Sequence, residues 1–214
     1  MINAQEALER LKEGNRRFAA NQHTVSPFMN KADVQEPFAI ILGCSDSRVP
    51  AEIVFHQGLG DLFVIRVAGN IVAPSQVGSV EFAASRFGTR LVVVLGHTGC
   101  GAIQATLEQL AQPEERQSPN IRAIVDRVRP SVEDLLETEY RNDLDELMKV
   151  AVRVNIRASA NHLRHGSALL EKLIQDEGLR VVGAEYCLET GAVEFFDGVP
   201  LSSPSPSRSA SSRP

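Results

Sequence analysis

The sequence predicts an α/β fold in which a mostly parallel central sheet is flanked by helices. Two apolar runs carry this expectation, Phe38 to Gly43 and Leu91 to Gly96, each short, rich in branched residues and separated from the other by segments of helical period. A third observation is size: 214 residues, 43% of them hydrophobic, can bury one substantial core.

Each element has its own signal. Ala4, Ala7, Leu8, Leu11 and Phe18 recur at helical spacing, and Asn3 with Glu6 forms a capping-box pattern, so the chain opens on an amphipathic helix. The run from Phe38 is the first strand. Pro50 to Gln57 reads as a short helix, Asp61 to Ala68 as a second strand, and Pro74 to Phe87 as a helix before the strand Leu91 to Gly96. Downstream, Ile121, Ile124, Val125 and Val128 share a helical face that follows Ser118 and Pro119. Leu144, Leu147, Met148, Ala151 and Ala158 mark a longer helix from Asn142 to Gly166, and Ser167 caps a last one ending at Gly178. Leu179 to Glu185 supplies a further strand. There is no internal repeat.

Residues 1–198 read as one catalytic domain. From residue 199 the chain passes into a Ser/Pro-rich tail, and from Ser202 to Pro214 it has too little apolar content to offset the entropy of ordering, so disorder is expected there.

Composition narrows the function. A net charge of -5 without a concentrated basic stripe points away from nucleic acid and anionic membranes and toward a small substrate. No apolar stretch approaches the roughly 20 residues that span a bilayer, and Met1 to Glu6 lacks the pattern of a secretory signal, so a cytoplasmic location is expected. Three cysteines are too few and scattered for a disulfide framework. Cys187, with no His or Cys nearby, is expected to be a small packing residue.

The chemistry lies in two strings, Cys44-Ser45-Asp46-Ser47-Arg48 and His97-Thr98-Gly99-Cys100, each placed directly after a buried strand. Parallel neighbouring strands bring their carboxyl ends to one edge, where open α/β sheets build ligand sites. Two thiolates, an imidazole and a carboxylate would converge there as a zinc ligand set. Catalytic zinc keeps three protein ligands and one exchangeable position, so Cys44, His97 and Cys100 are the expected permanent three. Ligation by Asp46 as well would close the site against water. Arg48 offers that carboxylate a competing bidentate partner; when Asp46 turns to it, water can take the fourth position and lose a proton near neutral pH. Asp46 and Arg48 therefore form a candidate gate. Gly99 and Gly101 flank Cys100 at the start of a helix, whose free N–H groups favour thiolate and can receive an anion.

Taken singly, these residues have plainer readings. His97 would be a hydrogen-bonded core or turn histidine, Asp46 and Arg48 a surface ion pair, and the two cysteines buried thiols or a redox pair. A structural zinc knuckle would bring its ligands in close pairs within a polar, loop-rich module, unlike the present placement on strand ends. The conjunction favours a catalytic metal.

Cys-x-Asp-x-Arg followed by His-x-x-Cys-Gly resembles the β-class carbonic anhydrases of bacteria. The likeness covers about residues 3 to 197, including Glu13-Gly14-Asn15-x-Arg17-Phe18, Gly43 to Pro50 and Gly96 to Ala102. It implies reversible hydration of CO2 to bicarbonate and a proton by hydroxide on a single Zn2+ per chain, held by Cys44, His97 and Cys100. Asp46 would either ligate that zinc or pair with Arg48. It further implies a homo-oligomer, dimer or tetramer, with the N-terminal helix packed across the partner. Gln35 and Phe63 match substrate-pocket positions, and Gly101 would line the pocket through its backbone.

The sequence also departs from the family's patterns. Members inhibited by bicarbonate use a Trp, an Arg and a Tyr at a second anion site; Arg66 and Tyr186 match, but Ile41 replaces the Trp. Phe82 and Arg86 stand where plant-type members carry a Tyr and a His linked to proton transfer, and His56 reads as a surface residue. Related sites hydrolyse CS2 or COS, which makes those substrates one alternative; a noncatalytic zinc or thiol scaffold is the other.

Overall fold

The computed structural model describes residues 2–21, 35–112 and 118–199. Five strands form one sheet in the order β2-β1-β3-β4-β5: β1 (Ala39–Gly43), β2 (Leu62–Arg66), β3 (Leu91–His97), β4 (Arg180–Tyr186) and β5 (Val193–Asp197). The first four run parallel, and β5 returns antiparallel to β4. Among the described residues seven α-helices accompany them: α1 (Ala4–Ala19), α2 (Ala51–Val54), α3 (Pro74–Arg86), α4 (Gly101–Ala111), α5 (Pro119–Val132), α6 (Leu144–His165) and α7 (Ala168–Asp176).

The uninterrupted apolar character of β1 and β3 follows from burial on both faces, and every residue of these two strands is buried. On one face, Ile40, Leu42, Val92, Val94 and Val181 join a core completed by residues of α3 to α7. On the other, Ile41, Leu91, Val93, Leu95 and Val182 meet α1 and α2.

α1 covers that second face of its own chain. Its stripe of Ala4, Ala7, Leu8 and Leu11 is buried, while Gln5, Glu9 and Arg16 remain exposed. The capping box at Asn3 and Glu6 satisfies N–H groups at its start. At its other end the buried Asn15 side chain donates to the carbonyls of Val54 and Gly191 and accepts from the Val193 N–H. One amide thus ties α1 to α2 and to the β4–β5 hairpin. Gly14 passes so close to α2 that an added Cβ would lie 1.8 Å from the Phe55 carbonyl oxygen.

Several elements differ from the sequence expectation. β2 stops at Arg66, because Ala68 to Asn70 turn in a short 3₁₀ segment in which Gly69 takes φ 70°. α2 is a single turn. Residues 133–142 form two 3₁₀ turns ahead of the long helix α6, which is capped by Asp143 at its start and ends at Gly166. β5 was not foreseen: its residues are only partly buried, so it lacks the continuous apolar signature of β1 and β3. Cys187 lies half-buried in the β4–β5 turn, where its N–H donates to Ala192 and its carbonyl accepts from Gly191, and is not a core residue. Ser202 to Pro214 lies outside the described residues.

Candidate metal centre

β1 and β3 are neighbours in parallel register, so the loops leaving Gly43 and His97 emerge at the same sheet edge. Cys44 follows β1 directly, His97 is the last residue of β3, and Cys100 caps α4. All three are buried, and one ligand atom from each lies within 4.8 Å of the others. The Cys44 and Cys100 sulfurs are 3.9 Å apart. That separation matches the edge of about 3.8 Å expected between two thiolates bound tetrahedrally at roughly 2.3 Å from zinc.

His97 adds a second sign of a metal. Its Nδ1–H faces the Thr98 carbonyl at 3.0 Å, which leaves the lone pair on Nε2. Nε2 is fully buried and has no hydrogen-bond partner. A buried acceptor left unpaired costs about 1–3 kcal/mol unless something binds it. A cation between the two sulfurs and Nε2 would remove that cost, so the residues fit Zn2+ in both donor chemistry and spacing.

The electrostatics show which protons a metal must displace. The Cys44 thiol is pulled down to about 4, chiefly by the hydrogen bond from Cys100, with His97 and the N–H groups of Gly69 and Asp46 adding to it and burial opposing it. Cys100 moves the other way: the Cys44 thiolate beside it and its own burial raise it, although the Ile103 and Ala102 N–H groups of α4 pull toward thiolate. The α4 N–H groups thus favour the thiolate as the sequence suggests, and the neighbouring Cys44 thiolate and burial outweigh them. Burial pushes the His97 imidazole down, but the Cys44 thiolate and the Thr98 carbonyl outweigh it and hold the ring above its ordinary value.

Asp46 is beside this cluster and bound to Arg48. Arg48 Nε donates to Oδ1 at 2.9 Å and Nη2 to Oδ2 at 2.7 Å, while the Arg48 backbone N–H reaches Oδ1 at 3.0 Å. The guanidinium holds the carboxyl well below the usual carboxylate range. Oδ2 is 3.8 Å from His97 Nε2. Of the two positions that the sequence left open for this carboxylate, the structure has the one paired with Arg48.

The remaining sequence candidates are placed less centrally. Gly101 opens α4 next to Cys100, with open space where a side chain would project. Phe63 sits on the edge strand β2 in an aromatic group with Phe82 and Phe87, at centroid distances of 6.2 and 6.0 Å. Gln35 is exposed ahead of β1. Ile41 and Tyr186 are buried in the core on the α1 face, and Arg66 turns to the Cys44 loop.

Sequence reasoning missed a supporting shell. The Gly69 N–H approaches Cys44 Sγ at 3.4 Å, and this turn is itself held by α6, where Asn155 Nδ2 donates to the Gly69 carbonyl at 2.9 Å and Ser159 Oγ to the Asn70 carbonyl at 3.0 Å. The available signal was two polar residues one helical turn apart within the apolar stripe of α6, between Val152, Ile156 and Leu163. Behind this turn a cleft of about 820 Å³ opens between α3, α5 and α6. It contains none of the three ligands, and the convergent donor set locates the chemistry at the sheet edge instead.

A family model described as carbonic anhydrase matches residues 39–193. Carbonic anhydrase 2 of Mycobacterium tuberculosis is 38% identical over 200 residues, covering 90% of this chain and 93% of that protein. A carbonic anhydrase of Mycolicibacterium smegmatis is 46% identical over 131 residues, or 59% of this chain and 63% of that protein. Among solved structures, the β-carbonic anhydrase CcaA superposes with a TM-score of 0.72 at 27% identity, covering 89% of this chain and 95% of its own. CafA of Aspergillus fumigatus gives 0.71 at 25% identity, with 92% of both chains covered.

Proposed function

The chain belongs to the carbonic anhydrase family, in its β class, and from that premise we propose that it catalyses the reversible hydration of CO2 to bicarbonate and a proton at a zinc ion held by Cys44, His97 and Cys100. The observation that carries this reading is the buried, partnerless Nε2 of His97 facing two sulfurs at tetrahedral spacing. Bound there, zinc would supply a Lewis acid that makes water nucleophilic near neutral pH.

The protein's own groups do the rest. Asp46, kept ionised and aimed by Arg48, accepts a hydrogen bond from the attacking water and orients its lone pair toward CO2. Arg48 also draws the carboxylate away from the three ligands, and release of Asp46 from Arg48 would let it approach a bound zinc and close the site, which is the proposed gate. Gly101 leaves room at the α4 N-terminus for the product anion. Gln35 and Phe63 are substrate-pocket residues in this account.

The wider assignments follow from the same chemistry. Residues 1–198 act as one catalytic domain and 199–214 as a tail. Two free thiols poised 3.9 Å apart keep their metal best in a reducing compartment, which supports a cytoplasmic location. No helix among the described residues is long and apolar enough to cross a membrane. The partly open β2 edge, with Phe82 at 54% and Leu59 at 60% exposure, supports a homodimer or tetramer, with α1 extending the contact across the partner.

Assay of the zinc-loaded protein against CO2, COS and CS2 tests the substrate. Bicarbonate formation from CO2 far exceeding release of sulfide from the analogues is the expected result. Preferential sulfide release would transfer the assignment to the sulfur substrates.

A further inference from the structure

Resting on the zinc reading above, we propose that Arg66 is a positioning residue that sets the direction of Asp46 by holding the main chain of the ligand loop. Arg66 ends β2 and stands opposite Gly43 in the parallel register, so its side chain can run past the end of β1 and over the loop that begins at Cys44. Its Nε donates to the Cys44 carbonyl at 3.1 Å and its Nη2 to the Asp46 carbonyl at 2.5 Å. The Asp46 carbonyl also receives the Val49 N–H at 3.0 Å.

A planar fork that grips alternate carbonyls fixes the Cys44–Ser45 and Asp46–Ser47 peptide planes, which flank the Ser45–Asp46 pair. Held on both sides, the Ser45–Asp46 segment keeps the Asp46 N–H on Cys44 and the Asp46 side chain directed toward Arg48. Two arginines thus divide one task. Arg48 holds the carboxylate, and Arg66 holds the backbone from which it projects. Both Arg66 contacts are charge-assisted, and a lysine could supply the charge but not the paired geometry. Without the fork the loop can rotate, and Asp46, already 3.8 Å from His97 Nε2, is free to take the metal's exchangeable position.

Arg66→Lys and Arg66→Ala, prepared as full-length zinc protein beside the wild type, test this. Expected are unchanged zinc content and secondary structure, and a fall in kcat of about 10–100-fold in both variants with KM little altered. Cobalt-substituted samples give a readout independent of turnover. The visible spectrum of the wild type should shift on adding thiocyanate, the shift should weaken in both Arg66 variants, and adding Asp46→Asn to Arg66→Ala should restore it. The proposal is overturned if kcat in both variants stays within about twofold of wild type, if Arg66→Lys is fully active, or if activity falls only in proportion to lost zinc. Should Arg66→Ala fail to fold, Arg66→Lys carries the test, since it keeps the stem and the charge. A wild-type protein inactive on CO2 would count against the functional reading, while the thiocyanate response would still decide the role of Arg66.

Discussion

At the scale of single residues, three buried groups side by side hold their protons unequally. Cys44 is already a thiolate near neutral pH, whereas Cys100 and His97 are both shifted toward their protonated forms. Metal uptake must therefore displace a proton from Cys100, and one from His97 as well once pH is low enough to protonate its ring. Calorimetry of zinc binding in buffers of differing ionisation enthalpy should show release approaching about two protons on the acidic side of neutrality and fewer as pH rises, with affinity falling as pH falls. Release of no protons would mean that the ligand assignment is wrong. The same set should be sensitive to single substitutions: Cys100→Ser should lose zinc and activity together, checked by metal analysis and turnover on one sample.

Asp46 has the opposite sign. Its depressed pKa keeps the carboxylate charged as pH falls through about 4, where free carboxylates take up protons, and the Arg48 pair opens only in stronger acid. Loss of activity in mild acid thus reflects protons returning to the nucleophile or to His97 and Cys100, not to Asp46. Asp46→Ala should retain zinc yet lose turnover by about a hundredfold or more, measured as kcat on metal-quantified protein. These four residues, with Arg48, were legible in the sequence because each lies within a few positions of a buried strand end. The contacts of Arg66 and Gly69 were not, because they reach backbone carbonyls and a sulfur of residues distant in the chain, and Asn155 and Ser159 left only the hint of two polar residues in an apolar stripe.

At the scale of elements, two joints hold the site. The Ala68–Asn70 turn braces Cys44 from below, and Gly69 at φ 70° packs where a Cβ would come 3.1 Å from that of Ala102 on α4. The other joint is α1 on α2. Gly14→Ala would drive a methyl into the Phe55 carbonyl and should cost at least about 3 kcal/mol, read from denaturant unfolding. Asn15→Ala removes three hydrogen bonds from a buried amide and should cost about 1–3 kcal/mol in the same measurement. Strands buried on both faces, capped helices and the amphipathic α1 could be read directly, since period and caps are local properties. β5 could not: it is a partly exposed edge strand fixed by pairing with β4, a tertiary relation.

At the scale of the whole molecule, parallel order brings the ends of β1 and β3 together, and one sheet edge thereby gathers a donor set that can hold a metal. The sequence marks both strands as buried and parallel, with their adjacency only a condition; that β1 and β3 are neighbours, with β2 and β5 at the edges, is seen in the structure. Removing Ser202 to Pro214 should leave zinc content, assembly size and turnover unchanged, as judged by light scattering and activity of the shortened protein.

The central claim is that the Cys44, His97 and Cys100 cluster is a catalytic zinc site for CO2. Stopped-flow CO2 hydration during stepwise return of zinc to metal-free protein tests it most directly. Activity should rise in proportion to zinc and level off at one equivalent per chain. Full zinc occupancy with no hydration of CO2 across the neutral and alkaline range, or equal hydration before any zinc is added, would contradict it.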